Sequence, residues 1–95
     1  MSQKTTAVRH EVHYSGRVHG VGFRYTVRRI ASRFVVGGFV KNLPDGRVQL
    51  IAEGVPEEVR RFLDAVAEEM DYYISGVQTQ AGPATGQFRG FDIRF

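Results

Sequence analysis

The chain has 95 residues, enough for one domain with a modest core and too few for a second. Hydrophobic residues make up 42% and charged residues 24%, which excludes a disordered tail, a collagen-like repeat and a fibrous protein. The 13 basic and 10 acidic side chains leave a net charge of +3, a mild excess that suits an anionic small molecule as well as nucleic acid.

The absence of cysteine and of long apolar segments narrows the class further. Without Cys, the chain has no disulfide, no thiolate metal site and no Cys nucleophile. No segment approaches the ~20 apolar residues of a membrane span, and the polar residues 1–11 are not typical of a signal peptide. We therefore expect a soluble, cytoplasmic, monomeric protein that contacts no membrane.

The first half of the chain alternates between strand and helix patterns. Residues 1–7 predict a flexible N-terminal tail, and polar–apolar alternation over 8–14 predicts a strand with one buried face. Three glycines within 16–22 predict a loop. Apolar residues at helical spacing over 23–34 then predict an amphipathic helix, which we expect to end at the glycine pair 37–38.

The second half contains a hairpin, a second helix and further strands. Asp45-Gly46 is typical of a hairpin turn between two short strands. Pro56 suits the first turn of a helix, and the acidic Glu57 and Glu58 suit its positive end. The expected elements are strands over 39–42, 47–53, 75–80 and 91–95, a helix over 56–70 and a turn-rich segment over 81–90.

The order of these elements indicates a two-layer α/β sandwich. It is βαββαβ with a short extra C-terminal strand, within a single domain over residues 8–95. This is the split βαβ order of ferredoxin-like α+β folds, in which two helices cover one face of an antiparallel sheet. Because this fold supports many functions, it indicates none by itself.

The glycine-rich segment between the first strand and the first helix is the candidate binding site. Backbone N–H groups of a loop that enters a helix have no intrahelical partner, and the helix dipole adds partial positive charge. Glycines let successive N–H groups turn toward one anion. We interpret the segment as a phosphate-binding cradle formed by Gly16, Arg17, Val18, His19, Gly20, Val21 and Gly22 together with the guanidinium of Arg24. The alternative is a plain strand-to-helix turn with a solvated arginine.

The residues around this cradle include no evident nucleophile or metal site. Val18 and Arg24 are six residues apart, the spacing of Cys and Arg in Cys-based phosphatase loops, so Val18 takes the place of the nucleophile. No cluster of acidic residues completes a metal-ligand set with the histidines. Attack on a bound phosphate must then come from water. Asn42, at a strand end, can hold such a water through hydrogen bonds, although a turn-forming Asn is the alternative.

Two segments of the chain resemble signatures of the acylphosphatase family. Residues 16–24 (GRVHGVGFR) are similar to its phosphate-binding signature, with His19 where Gln is usual, and residues 38–54 (GFVKNLPDGRVQLIAEG) are similar to its second signature. The resemblance covers about residues 8 to 95. It implies hydrolysis of the carboxyl–phosphate bond of acyl phosphates without metal or cofactor. It also implies that Arg24 and the loop amides bind the phosphoryl group and that Asn42 positions the attacking water. Inorganic phosphate or another anion is expected to compete.

Three points stay open at this stage. The family commonly has Gly where Val35 stands, and a helix C′ position often needs positive φ, so Val35 is either strained or the helix ends differently. The βαββαβ order also builds RNA-binding modules, although residues 38–40 supply only a fragment of their stacking aromatics, and we expect no nucleic acid partner. Acylphosphatase-like modules also occur inside larger enzymes, whereas we expect this chain to be free-standing.

Overall fold

A computed structural model of the chain describes residues 6–95. The predicted tail over residues 1–7 therefore lies mostly outside the described residues. The regular elements are the strands β1 (Val8–Gly16), β2 (Gly37–Asn42), β3 (Val48–Gly54), β4 (Ile74–Pro83) and β5 (Phe91–Arg94), the helices α1 (Phe23–Ala31) and α2 (Pro56–Met70), and a 3₁₀ turn at Asp71–Tyr73.

The sheet has the strand order β4-β1-β3-β2-β5 and is mixed. The first four strands pair antiparallel, as the sequence predicts, whereas β5 pairs parallel with β2. The predicted antiparallel sheet is thus confirmed for β1 to β4, and the predicted extra C-terminal strand joins it in the parallel direction. The chain leaves β4 at the end of the sheet where β2 begins, because Pro83 lies opposite Val8 and Gly37 opposite Glu53. A strand that starts at that end beside β2 runs in the same direction as β2.

Both helices pack on one face of the sheet, as predicted. The inward alternation along β1 and β3 buries Val12, Leu50 and Ala52, and the helices cover them with Ile30 and Phe62. Burying one such large apolar side chain contributes about 1.5–3 kcal/mol to folding. The other buried members of this core include Tyr14, Val18, Phe23, Val27, Val40, Val48, Val59, Val66 and Met70.

Helix α1 ends earlier than its apolar stripe suggests. Ser32 follows the last helical residue, and its hydroxyl donates to the Arg29 carbonyl at 2.6 Å. The next turn tightens, because the Phe34 amide donates to the Ala31 carbonyl at 3.1 Å. Phe34 still packs against the core, with its ring centroid 6.1 Å from that of Phe62. The side chain therefore keeps the helical spacing although the backbone has left the helix.

Val35 lies on an exposed connection and is not strained. Among residues 6–95 only glycines have positive φ, so of the two alternatives for Val35 the structure excludes strain and supports a different helix end. The reason is that α1 ends at Ala31, so that Val35 does not occupy the C′ position. Its side chain is 78% exposed, and its amide donates to Glu58 Oε1 at 2.8 Å.

The segments that carry the predicted site meet at one end of the sheet. The register places the end of β1, the end of β2 and the start of β3 together, since Tyr14 and Asn42 both lie opposite Val48. The glycine-rich loop leaves β1 there and enters α1, and the β2–β3 turn lies beside it. No described helix has both the length and the apolar character needed to cross a membrane.

Candidate active site

The glycine-rich loop, residues 17–22, presents unpaired backbone donors at the start of α1. Gly20 and Gly22 both have φ of 74°, whereas Val21 between them does not have positive φ. Such alternation of left-handed and other backbone conformations makes a concave run of N–H groups. Within residues 6–95, the N–H groups of residues 18–22 donate no hydrogen bond to another residue. The first turn of α1 has no side-chain cap and no acidic residue. The partial positive charge at the start of α1 is therefore directed toward the concave side of the loop, where it favours an anion.

A cavity of about 110 Å³ opens beside this loop. Pockets that enclose drug-sized ligands have volumes of about 300–1,000 Å³, so this cavity is sized for a small group such as a phosphoryl group. Its lining combines loop glycines, one cation, one amide and aromatic side chains. The lining residues are Val18, Gly20, Gly22, Phe23, Arg24, Tyr25 and Asn42.

Arg24 is held in the cavity wall by strand β5. Its Nη1 donates to the Arg94 carbonyl at 3.3 Å, and its Cζ lies 4.7 Å from the centroid of the Phe95 ring. The side chain is half-buried. It makes no ion pair with a carboxylate in the described part of the chain. The guanidinium thus has a fixed position and an uncompensated charge beside the loop amides.

Asn42 faces the same cavity from the last position of β2. The residue is half-buried and lies opposite Val48 of β3. Its Oδ1 is buried and accepts no hydrogen bond from any residue between 6 and 95. A buried acceptor without a partner costs about 1–3 kcal/mol, so Asn42 carries an unsatisfied polar atom at a position that lines the cavity. The structure therefore brings Asn42, Arg24 and the loop together, although Asn42 is distant from them in sequence.

The other predicted cradle residues lie around the cavity but do not line it. Gly16 ends β1 opposite Ile74, and the Arg17 amide donates to the Tyr73 carbonyl at 2.9 Å. That amide is already bonded, so the N–H groups available to an anion begin at residue 18. His19 Nε2 donates to the Arg47 carbonyl at 3.0 Å. Val21 is exposed at the outside of the loop.

Two lining residues were missed by the sequence analysis. Phe23 and Tyr25 flank Arg24, and the helical stripe assigned Phe23 to the core, where it does pack on Tyr14 with ring centroids 5.3 Å apart. Tyr25 is 65% exposed, and its place in the first turn beside Arg24 was the available signal. An exposed aromatic ring at the mouth of the cavity can contact whatever is attached to a bound phosphoryl group.

Among residues 6–95, the side chains that line the cavity include no carboxylate and no imidazole, the groups that most often act as general bases or metal ligands. Among the described residues, no group of three or more His, Cys, Asp or Glu side chains could hold a metal ion. Burial raises the pKa of the Tyr14 phenol, which packs on Phe23, so this group stays neutral. The arrangement can bind an anion and orient a water molecule.

These features define a class: a ferredoxin-like α/β sandwich with a small anion-binding cavity between a glycine-rich loop, an arginine and an asparagine. A family model described as Acylphosphatase matches residues 10–93. The chain belongs to the acylphosphatase family and is an enzyme of that family, which confirms the resemblance stated from its two signatures.

Individual relatives agree with this assignment. The chain is 41% identical to an acylphosphatase of Bacillus velezensis, over 84% of this chain and 90% of the relative. It is 40% identical to an acylphosphatase of Rubrobacter xylanophilus, over 98% of this chain and 84% of the relative. The crystal structure of acylphosphatase from Bacillus subtilis superposes with a TM-score of 0.85 at 30% identity, covering 93% of this chain and 99% of that one.

Proposed function

We propose that this protein hydrolyses the carboxyl–phosphate bond of acyl phosphates to a carboxylate and inorganic phosphate, with water as nucleophile and without metal or cofactor. One observation carries the proposal. Asn42 and Arg24 line the same small cavity beside the loop. Within residues 6–95, Asn42 Oδ1 has no hydrogen-bond partner, Arg24 has no ion pair and the loop amides 18–22 donate to no other residue.

The loop and Arg24 bind the phosphoryl group in this proposal. The N–H groups of residues 18–22 and the start of α1 donate to the phosphoryl oxygens, and Arg24 supplies a planar, charged donor pair. Phosphoryl transfer passes through a loose transition state whose charge lies on these oxygens. Preorganised donors stabilise that charge without further reorganisation. Gly16 and Arg17 support the cradle from the end of β1.

Asn42 positions the attacking water. Its side-chain amide forms hydrogen bonds with the water, which hold the water oxygen toward phosphorus. The water oxygen forms the new P–O bond, the bond to the acyl oxygen breaks, and its electron pair leaves with the carboxylate. The water's proton passes to a phosphoryl oxygen of the substrate. No protein base is then required, in agreement with a lining that has none.

The missing general acid restricts the substrate class. A carboxylate leaves readily because its conjugate acid has a pKa of about 4, whereas an alkoxide leaves poorly without protonation. We therefore expect acyl phosphates to react and alkyl or aryl phosphate monoesters to react negligibly. The cavity volume of about 110 Å³ leaves the acyl part outside. This cavity by itself then does not select the physiological acyl phosphate.

The test is turnover of benzoyl phosphate beside phenyl phosphate, each with and without a chelator. We expect benzoyl phosphate alone to be hydrolysed, equally in chelator, with inorganic phosphate as a competitive inhibitor. Arg24→Ala should lose at least about a hundredfold in kcat/KM, and Arg24→Lys should recover little, since a point charge does not replace a planar fork. Loss of activity in chelator with recovery by a divalent metal would contradict the proposal. Action as a monomer in the cytoplasm stays a prediction.

A further inference from the structure

His19 connects the glycine-rich loop to the β2–β3 turn, residues 43–47. Its Nε2 lies 3.0 Å from the Arg47 carbonyl oxygen. Because a carbonyl oxygen can only accept, the imidazole must carry a proton on Nε2 in this contact. Within residues 6–95, no other hydrogen bond joins residues 17–22 to residues 43–47.

The carbonyl that His19 contacts is itself held firmly. The Arg47 carbonyl also accepts from the Leu43 amide at 2.8 Å, and Leu43 directly follows Asn42. Asp45 closes the turn, because its Oδ1 accepts from the Arg47 amide at 3.0 Å and its Oδ2 from Arg47 Nε at 2.8 Å. These bonds from Arg47 lower the pKa of Asp45 and keep its carboxylate charged. His19 therefore donates to a carbonyl that is also hydrogen-bonded to Leu43, the residue that follows Asn42.

We propose that His19 is a positioning residue that sets the distance between the phosphate cradle and Asn42. This inference rests on the proposed function, in which the cradle holds the phosphoryl group and Asn42 holds the water. His19 does not line the cavity and its side chain is exposed, so it acts through the turn and not by touching substrate. The bond joins the two halves of the site, and its loss would let the water drift relative to phosphorus.

Three variants of His19 separate the donor from the ring. His19→Ala and His19→Phe both remove the N–H donor, and Phe keeps the planar ring. His19→Gln restores an amide N–H on a side chain of similar reach. With benzoyl phosphate, we expect kcat to fall about tenfold in the Ala and Phe variants and to recover within about threefold in the Gln variant, because small misplacements of reacting groups cost rate. Phosphate affinity should stay within about threefold in all three, since the loop amides and Arg24 remain.

A matched control is available in His13, on the outer face of β1. Its Nε2 lies 3.4 Å from Glu11 Oε2, and it does not line the cavity. His13→Ala removes the same side chain elsewhere and should leave kcat unchanged. A fall in kcat for His13→Ala equal to that for His19→Ala would overturn the inference, since the effect would then belong to any lost imidazole.

The link to Asn42 is tested by a double-mutant cycle. If His19 acts by positioning Asn42, His19→Ala should change kcat less than about twofold in an Asn42→Ala background. Additive losses would overturn the inference, as would equal kcat in His19→Ala and the wild type. Equal losses of phosphate affinity and of kcat would also overturn the inference, because His19 would then act only by holding the loop that binds phosphate.

Absence of turnover in the wild type would overturn the proposed function and this inference with it. Turnover in the wild type with no His19 effect would overturn the inference alone.

Discussion

At the scale of single residues, Asn42 is placed where packing would favour an apolar side chain. It continues the inward face of β2 that includes the fully buried Val40, and its Oδ1 is buried without a partner among residues 6–95. Such an atom lowers folding stability unless a donor reaches it. The position therefore trades stability for a polar side chain in the lining of the cavity, a pattern expected of a functional residue.

Replacement of Asn42 should separate activity from stability. We expect Asn42→Ala to lower kcat by about a hundredfold or more while KM and phosphate affinity change only a few fold, because the water loses its acceptor. The free energy of unfolding should not fall, since no protein hydrogen bond is lost. Asn42→Asp should not restore kcat, as its negative charge repels the phosphoryl group. Steady-state kinetics, phosphate binding and urea denaturation check these outcomes. Unchanged kcat in Asn42→Ala would show that Asn42 is only a turn residue.

At the scale of elements, β5 completes the site that α1 and the loop begin. Arg24 lies in the first turn of α1, where a cation opposes the helix dipole. The parallel pairing of β5 with β2 places Lys41 opposite Arg94 and so carries the Arg94 carbonyl and the Phe95 ring to the guanidinium. The acceptor and the ring face offset part of this unfavourable placement and hold the guanidinium beside the loop amides, where it can contact a bound anion.

The contact of Phe95 with Arg24 should contribute measurably to anion binding. Phe95 is 86% exposed, and a cation–π contact at an exposed site is worth about 0.5–1 kcal/mol. We expect Phe95→Leu, which keeps apolar bulk without an aromatic face, to weaken phosphate binding by about two- to fivefold. Phe95→Tyr should bind like the wild type. Isothermal titration with inorganic phosphate checks both, and equal affinity in the Leu variant would rule out the contribution.

At the scale of the whole molecule, Glu53 holds the connection between β4 and β5. It is only 6% exposed, and its carboxylate accepts from the Thr85 amide at 3.0 Å, the Thr85 hydroxyl at 2.8 Å and the Gly86 amide at 3.0 Å. Arg9 Nε lies 3.5 Å away. Burial acts to raise the pKa of Glu53, but the bonds from Thr85 and Gly86 outweigh it and the pKa lies below its usual range. The hydrogen bonds of Glu53 at one end of the sheet thus support β5, which contacts Arg24 at the other end.

This depressed pKa predicts acid sensitivity of the fold. The folded state binds the Glu53 proton less readily than the unfolded chain, where the pKa is about 4.3. The contribution of Glu53 is therefore fully present above that pH and is lost as pH falls through its folded pKa. Glu53→Gln should lower the free energy of unfolding at pH 7 by about 1–3 kcal/mol and flatten its decline below pH 4. Urea denaturation from pH 2.5 to 7 measures both. A variant that keeps the wild-type slope in acid would contradict this role.

The sheet face opposite the helices does not favour the RNA-binding alternative. Its aromatic rings contact one another and a guanidinium. The ring centroids of Phe39 and Phe88 are 5.9 Å apart, and Arg94 Cζ lies 4.1 Å from the ring centroid of Phe39. RNA-binding modules of this topology need ring faces open to bases. Here the faces are already used in holding β5 and the preceding connection to the sheet.

Periodicity in the sequence determined the element order, the two helices and the buried faces. Alternation along residues 8–14, helical spacing along 56–70 and the Asp45-Gly46 turn are local signals, and the structure has each of them. Local chemistry also pointed to the glycine-rich loop and to Arg24, because unpaired N–H groups at a helix start need no distant partner to be recognised. The two family signatures are themselves continuous segments and could be read directly.

The contacts between segments that are far apart in the sequence were decided only by the tertiary structure. The parallel pairing of β5, the contact of Phe95 with Arg24 and the bond from His19 to Arg47 follow from which ends of strands meet in space. The lack of a partner for Asn42 Oδ1 within residues 6–95 likewise follows from how the surrounding segments pack. Such facts have no periodic signature, because hydrogen bonds between segments many residues apart are set by packing and not by local backbone preference.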